Sequence, residues 1–409
     1  LYSTPGKKWR FSSYDFQMVS VDGIPQIVFN DVSLSATTNS DRAGIYDSKG
    51  TYYPLENRFI GQGGRVNWMK ADLDSNNVYA NLQNVNINLE KSEYTIDSVT
   101  FYFIGYLDKP LLGTFTDKLL ANIDPDNRDY PQFRSFDNSI SIKDIIDYVD
   151  YYGSFFIKGK NIVGSGDGTS LATLKFRDDL ERVVMTTRSK SYLIKPEAIF
   201  SQEASVAIYT GKDSIFHPNV NLNYQAPKRT ITLTRGKIGA AGSDYYSSYH
   251  RIDANVEQVV WGINDTSLVM RNLAGAGEKR SYFESEDLFS RELYSAIQGI
   301  APANPLVMIK RYCDRNDVRE VQASVLAREI NPSLSVDGIR SLLYDLMLEG
   351  FIFYDPETQI VTVKDKTFNY VNSYIGKKDY DIITMMSKTN GVNAELDLQK
   401  FDMHLKGLE

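Results

Sequence analysis

A chain of 409 residues with one cysteine and three histidines leaves little room for several kinds of chemistry. Cys313 has no second cysteine to pair with, which excludes a disulfide-dense secreted scaffold and a cysteine-clustered metal site. His217, His250 and His404 stand far apart, and neither HxxxH nor HExxH spacing occurs, so no histidine metal centre is expected. A nucleophile elbow of the form G-x-S-x-G is missing as well. No run approaches the roughly 18 apolar residues of a membrane-spanning helix. No long block of single-sign charge appears, and the net charge of -7 suits a soluble protein without a nucleic-acid partner. The chain shows no signal peptide and opens on Leu1 rather than on a methionine. It is read as a region of a larger protein, from which targeting signals can have been lost.

Aromatic residues are plentiful, with 27 Tyr and 20 Phe, and they favour ordered β structure over disorder. Residues 78–89 alternate Leu82, Val85, Ile87 and Leu89 with asparagines, and residues 94–104 alternate Ile96, Val99, Phe101 and Phe103. Both patterns predict half-buried strands with one wet face. Asn84-Val-Asn-Ile-Asn88 is echoed at Asn219-Val-Asn-Leu-Asn223, and residues 82–89 more loosely at 398–405. The spacings are unequal, so no strict repeat is inferred. Gly61-Gln-Gly63-Gly64 precedes a strand rather than a helix, which makes it a turn or bulge and not a phosphate loop. The polar segment 124–129 lacks the glycine and distal glutamate of a calcium loop and reads as a solvated turn. Gly164-Ser-Gly166-Asp-Gly168 reads as a flexible turn, since no helix start follows it.

Helical patterns are fewer. Residues 141–152 place Ile142, Ile145, Ile146 and Val149 at helical spacing, and residues 285–300 place Leu288, Phe289, Leu293 and Ile297 likewise; both predict helices. Residues 304–366 are the most legible stretch. Leu306, Ile309 and Cys313 share one face. Val321, Val325 and Leu326 share another, and Ile339, Leu342, Leu343, Leu346 and Met347 form a buried stripe that Gly350 terminates. Two short strands then flank a turn at 355–359. This order resembles a winged helix. The resemblance implies that the third helix would be the one to enter DNA, yet that stretch sets Arg340 against Asp337, Asp345 and Glu349, and the turn adds Asp355 and Glu357. Such a face repels phosphates, so a protein-contact module is expected. Beyond it, residues 369–375 are ambiguous, and residues 381–386 and 394–405 read as strands, so the module sits between β segments as an insertion would.

The whole is expected to be mainly β with helical inserts: meandering antiparallel, jellyroll- or trough-like sheets plus a small winged-helix domain. The expected divisions are a β-rich segment at 1–136, a helix and strand connector at 137–168, antiparallel β at 169–275, a helical linker at 276–303, the winged-helix module at 304–366 and a return to β at 367–409. The run Ser205-Val-Ala-Ile-Tyr-Thr-Gly-Lys-Asp-Ser-Ile-Phe-His-Pro-Asn-Val-Asn-Leu-Asn-Tyr224, with Arg229-Thr-Ile-Thr-Leu-Thr-Arg235 after it, resembles the strand and turn rhythm of the periplasmic β-jellyroll of lipopolysaccharide-transport bridge proteins. It is also similar to large, Tyr- and Asn-rich, uncharacterised envelope proteins of Bacteroidetes-type bacteria. The resemblance covers residues 59–120 and 192–270, and it implies an open trough in the periplasm or at the outer membrane. The helices and the winged-helix segment depart from that pattern.

Neither catalytic nor metal-binding residues are expected, nor a cofactor. His217 precedes Pro218 and is read as a strand-edge residue. Tyr245, Tyr246, Tyr249 and His250, with Trp261, form the candidate ligand or partner surface, because tyrosine and tryptophan rings on β faces can stack on sugars or pack on proteins. The expected function is that of a non-catalytic envelope protein making protein contacts. The alternatives are a lipid- or polysaccharide-binding trough and a polysaccharide-acting enzyme. The latter predicts clustered Asp or Glu in a cleft with Tyr or Trp around them.

Overall fold

The structure is a computed structural model that describes residues 2–4, 6–122, 128–166, 170–237, 239–273, 279–299, 301–356 and 358–409. Strand accounts for about 53% and helix for about 15%, so the protein is mainly β with helical inserts. It divides into two compact units, Leu1–Ala172 with Ser191–Pro196, and Thr173–Lys190 with Glu197–Glu409. Residues 124–127 of the polar turn, 167–168 of the glycine-rich turn, and Glu357 lie outside the described residues.

In the first unit one antiparallel sheet runs in the order Tyr2–Thr4, Lys7–Val21, Ile24–Thr37, Arg42–Tyr53, Arg58–Gln62, Asn84–Asn88. The chain leaves it at Gly63 and Gly64, whose φ values of +67° and +111° are open to glycine and strained for most other residues. It enters a second antiparallel sheet through Arg65–Asn67, Val78–Asn81, Glu93–Phe103 and Leu111–Lys118. The two sheets meet through aromatic rings. Trp9 of the first lies 6.0 Å from Tyr94 of the second, and behind them Phe101 packs on Trp68 at 5.0 Å and on Phe133 at 4.4 Å. Tyr94 and Phe101 come from inward positions of the alternating strand Glu93–Phe103.

Residues 141–152 are not a helix. They belong to the strands Ile140–Ile146 and Val149–Lys158, which pair antiparallel across a turn at Asp147 and Tyr148. The apolar positions look helical because a register shift between Ile142 and Ile146 interrupts the two-residue alternation. Asp144 at φ +52° and Tyr148 at φ +65° take the left-handed conformation that such an irregularity and turn require. The 137–168 segment is therefore strand throughout its regular structure among the described residues.

In the second unit the strands Val183–Ser189, Ala198–Thr210, Asp213–Gln225, Thr230–Arg235, Gln258–Gly262, Ser267–Arg271, Val392–Asp397 and Met403–Leu405 pair in that order. The long strand Asp213–Gln225 splits its partners. Val220 to Gln225 pair with Thr230–Arg235, whereas Ile215 and Phe216 pair with Tyr245–Ser247. The second branch continues through Ile252–Asn255, Arg280–Ser285 and Thr384–Lys388. The helical block is inserted between these last two strands, which pair with each other.

That block holds α1 (Arg291–Gln298), α2 (Pro305–Asn316), α3 (Ala323–Ile330), α4 (Val336–Leu348) and α5 (Asp365–Tyr374), with a three-stranded sheet of Glu320–Gln322, Ile360–Val363 and Ile352–Asp355. Its ends follow from the sequence. Ser290 accepts a hydrogen bond from the Leu293 N–H, and Asn304 from the Leu306 N–H just before Pro305. After α4, Gly350 at φ +75° lets Phe351 N–H reach Leu346 O and Gly350 N–H reach Met347 O, the paired bonds of a glycine-ended helix. Leu306, Ile309, Cys313, Leu326, Ile339, Leu343, Leu346 and Met347 fill one core. Four boundaries differ from the sequence reading. The predicted helix at 285–300 starts only at Arg291, because Ser285 still belongs to a strand and Ser290 is the cap. Val321 lies in a strand ahead of α3. Residues 369–375 lie almost wholly in α5, so the return to β starts at Thr384. Residues 398–402 form a turn between strands Val392–Asp397 and Met403–Leu405.

Candidate binding surfaces

The five aromatic and histidine residues singled out from the sequence do not form one surface. Tyr245 is 1% exposed. Its ring lies 4.6 Å from that of His217, and its hydroxyl donates to Leu233 O. Burial pushes that hydroxyl far above its ordinary pKa. Trp261 is 4% exposed, pairs with Ile231, and donates its indole N–H to Asp265 O. Both occupy inward positions of their strands and are almost wholly buried. Tyr246 is half-buried under the Lys364 ammonium, 4.3 Å from its centroid. His217 is not an edge residue either. It is buried within Asp213–Gln225, with Nε2 2.7 Å from Ser243 O and Nδ1 accepting from Asn219 N–H. That pairing fixes the neutral ring, and burial lowers its pKa to about 3.

Tyr249 and His250 do reach solvent, and a residue far away in sequence organises them. Phe401, in the turn after Val392–Asp397, packs its ring on Tyr249 at 4.9 Å with the planes tilted by 31°. Its carbonyl lies 2.8 Å from His250 Nε2. Phe401 also lines a cleft of about 740 Å³ with Trp261 and with Tyr209. Four loops meet there, at 178–183, 209–211, 263–266 and 398–401. Asp178 accepts hydrogen bonds from the N–H groups of Leu180 and Arg182 and from Arg182 Nε. Burial opposes its charge, but the Arg182 side chain and the two backbone donors outweigh that and hold its carboxyl below the ordinary value. Asp179 is ion-paired to Arg229 and accepts from Asn264 Nδ2 at 2.7 Å. None of Tyr209, Asp178, Asp179 and Phe401 carries a local motif. The Phe401–His250 contact spans 151 positions, so only the fold reveals it.

The first unit offers a different surface. The strands Lys7–Val21 and Ile24–Thr37 form a long hairpin whose inner half is packed and whose outer half is not. Trp9, Val32, Leu34 and Ala36 are buried, whereas nothing from Arg10 to Val21 is. Phe16 pairs with Phe29, Met18 with Ile27 and Val21 with Ile24. Phe16 is 50% and Met18 74% exposed, and Tyr14, Val21 and Ile24 are exposed as well. Beyond Trp9 the strand Lys7–Val21 has one neighbour among the described residues, Ile24–Thr37, since Tyr2–Thr4 pairs only with Lys7, Lys8 and Trp9.

Two ionic clusters among the described residues have both signs buried. Lys70 sits between Asp117 at 2.6 Å and Asp41 at 3.3 Å. Burial, partly offset by Lys70, pushes Asp117 up to about 6. Asp253 faces Lys364 at 2.9 Å and Lys366 at 3.6 Å where the helical block meets its sheet. Glu284 and Glu349 near this seam are raised by burial. Among the described residues no group of three His, Cys, Asp or Glu is placed to hold a metal ion. No helix among them is long and apolar enough to cross a membrane. No protein-family model matches the chain, and a search of curated proteins finds no significant match.

Proposed function

We propose that this chain is a non-catalytic structural protein of the bacterial envelope that works by binding other envelope proteins. The observation that carries this reading is the outer half of the Lys7–Val21/Ile24–Thr37 hairpin. Unpaired strand edges template pairing with another chain, and proteins usually blunt them with lysine, proline or short length. Here residues 10–21 run for 12 positions with Arg10 and Asp15 as their charged side chains; register shifts interrupt the pairing between Ser12 and Phe16, and beyond them Phe16, Met18 and Val21 form apolar pairs in regular register. An edge of this length and polarity is suited to accept a partner strand, with backbone hydrogen bonds supplying affinity and alternate side chains specificity. The periplasmic or outer-membrane setting rests on the resemblance of residues 59–120 and 192–270 to envelope β-jellyrolls.

The order helix, strand, helix, helix, strand, strand from α2 to Ile360–Val363 supports the winged-helix reading of the inserted block. Its third helix exposes Asp345 and ties Arg340 to Asp337. A DNA-binding face would need unpaired cations there, so the block is assigned to protein contact. Native mass spectrometry of the protein taken from its own membrane fraction tests the proposal. The expected result is a complex with stoichiometric protein partners. A monomer that carries lipid or glycan mass and no protein overturns it.

A further inference from the structure

The cleft of the second unit invites a ligand class of its own. Its about 740 Å³ lies within the roughly 300–1,000 Å³ of small-molecule sites. Three aromatic side chains line it: Tyr209, which is 41% exposed, the largely buried Trp261, and Phe401, against whose ring Tyr249 packs from outside the lining. Between them stand groups that pair with hydroxyls, namely the carboxylates of Asp179 and Asp265 and the amides of Asn264 and Gln399. Asp179 is already oriented by Arg229 and Asn264. Planar apolar faces next to carboxylates and amides match a sugar ring, which presents C–H patches on its faces and hydroxyls at its edge. The charge sets the sign of the ligand. Asp178, Asp179 and Asp265 exceed the cations Arg182 and Arg229 by one, so an anionic ligand is disfavoured and a neutral one is not.

We propose that this cleft binds a neutral oligosaccharide, with the rings of Tyr209 and Phe401 as stacking platforms and Asp179 and Asp265 as hydroxyl acceptors. It is a binding site and not a site of cleavage. Glycosidic hydrolysis needs two carboxyl groups acting together; of the three in the cleft, Asp178 accepts from Arg182 and two backbone N–H groups and Asp179 already accepts from Arg229 and Asn264, which leaves Asp265 alone for that chemistry. The site belongs to the second unit and stands or falls independently of the hairpin.

The test is binding of the intact chain to a printed array of neutral and of uronate-containing oligosaccharides, followed by titration calorimetry with the best neutral hexasaccharide. Neutral glycans are expected to bind in preference to uronates. Tyr209→Ala and Phe401→Ala should each weaken binding tenfold or more, with melting temperatures close to wild type. Phe401→Tyr keeps the ring and should restore binding if Phe401→Ala disturbs the turn. Absence of neutral-glycan binding, a preference for uronates, affinity unchanged in both alanine variants, or release of reducing ends from the bound glycan would each overturn the proposal.

Discussion

Lys364 Nζ lies 2.9 Å from Asp253 Oδ1 with both side chains buried, and this pair ties the inserted helical block to the sheet that carries it. Lys364 also sits over the rings of Tyr246 and Phe353, and Phe353 packs on Phe216 at 4.5 Å. Breaking a buried pair from one side leaves an uncompensated charge, which costs about 3–5 kcal/mol. Asp253→Ala strands Lys364, while Lys366 keeps Glu284 and Glu349 nearby. It is expected to lower the unfolding free energy by that amount and to speed hydrogen exchange in α4 and α5. Denaturant unfolding and exchange mass spectrometry measure both. A loss below about 1 kcal/mol, as for an exposed pair, would show that packing alone docks the block.

Gly350 closes α4 in the left-handed region, and a Cβ there would stand 2.9 Å from Asp253 Oδ2. Gly350→Ala therefore combines backbone strain with a clash at the same seam. It is expected to destabilise by more than about 1 kcal/mol, read as a shifted denaturation midpoint with an unchanged slope.

His217 stays neutral in the folded chain to about pH 3, against an ordinary value of 6.5. Between those values the unfolded chain binds a proton that the folded chain refuses. The His217 contribution to stability therefore falls on acidification below pH 6.5, by about 1.4 kcal/mol per pH unit, and stops falling near pH 3. Asp117 works the other way. Its folded value of about 6 exceeds the ordinary 3.8, so its contribution grows as pH falls from 6 to 3.8. The imidazole resonances of His217 should show no titration between pH 8 and 5. A midpoint near 6.5 would contradict the buried neutral ring.

Cys313 is 2% exposed on the inner face of α2, and burial raises its thiol pKa. It should resist a thiol reagent in the native protein and react fully in denaturant. Rapid native labelling would mean that the core of the block opens.

The legible parts were those whose signal is local. Ile339, Leu343, Leu346 and Met347 recur at helical spacing and end at Gly350, so α4 and its stop could be read before the fold was known. The insertion was legible too, because strand patterns stand on both sides of the block. The hairpin of Ile140–Ile146 and Val149–Lys158 was not. One register shift converts its alternation into a false helical stripe at Ile142, Ile145 and Ile146. Aromatic residue type does not say which way a strand position points, so the sequence does not show that Tyr245 and Trp261 face inward. The cleft was invisible for a different reason. Its walls come from loops between 178 and 401 in sequence, and only strand pairing brings Phe401 to Tyr249. The unpaired edge after Trp9 was equally hidden, since a strand pattern does not state how many neighbours the strand has.

That edge is the contact surface on which the proposed function depends. Photoreactive residues placed one at a time at Gln17 and Val19, and at Asn86 of the strand Asn84–Asn88 as a comparison, test it in cells that make the full-length protein. The account predicts a discrete cross-linked partner protein from positions 17 and 19, lost when Phe16→Ser and Met18→Ser are combined, while the purified double variant melts as wild type does. No adduct from the hairpin positions, or the same adduct with the double variant as without it, would contradict the claim that this hairpin is the contact surface.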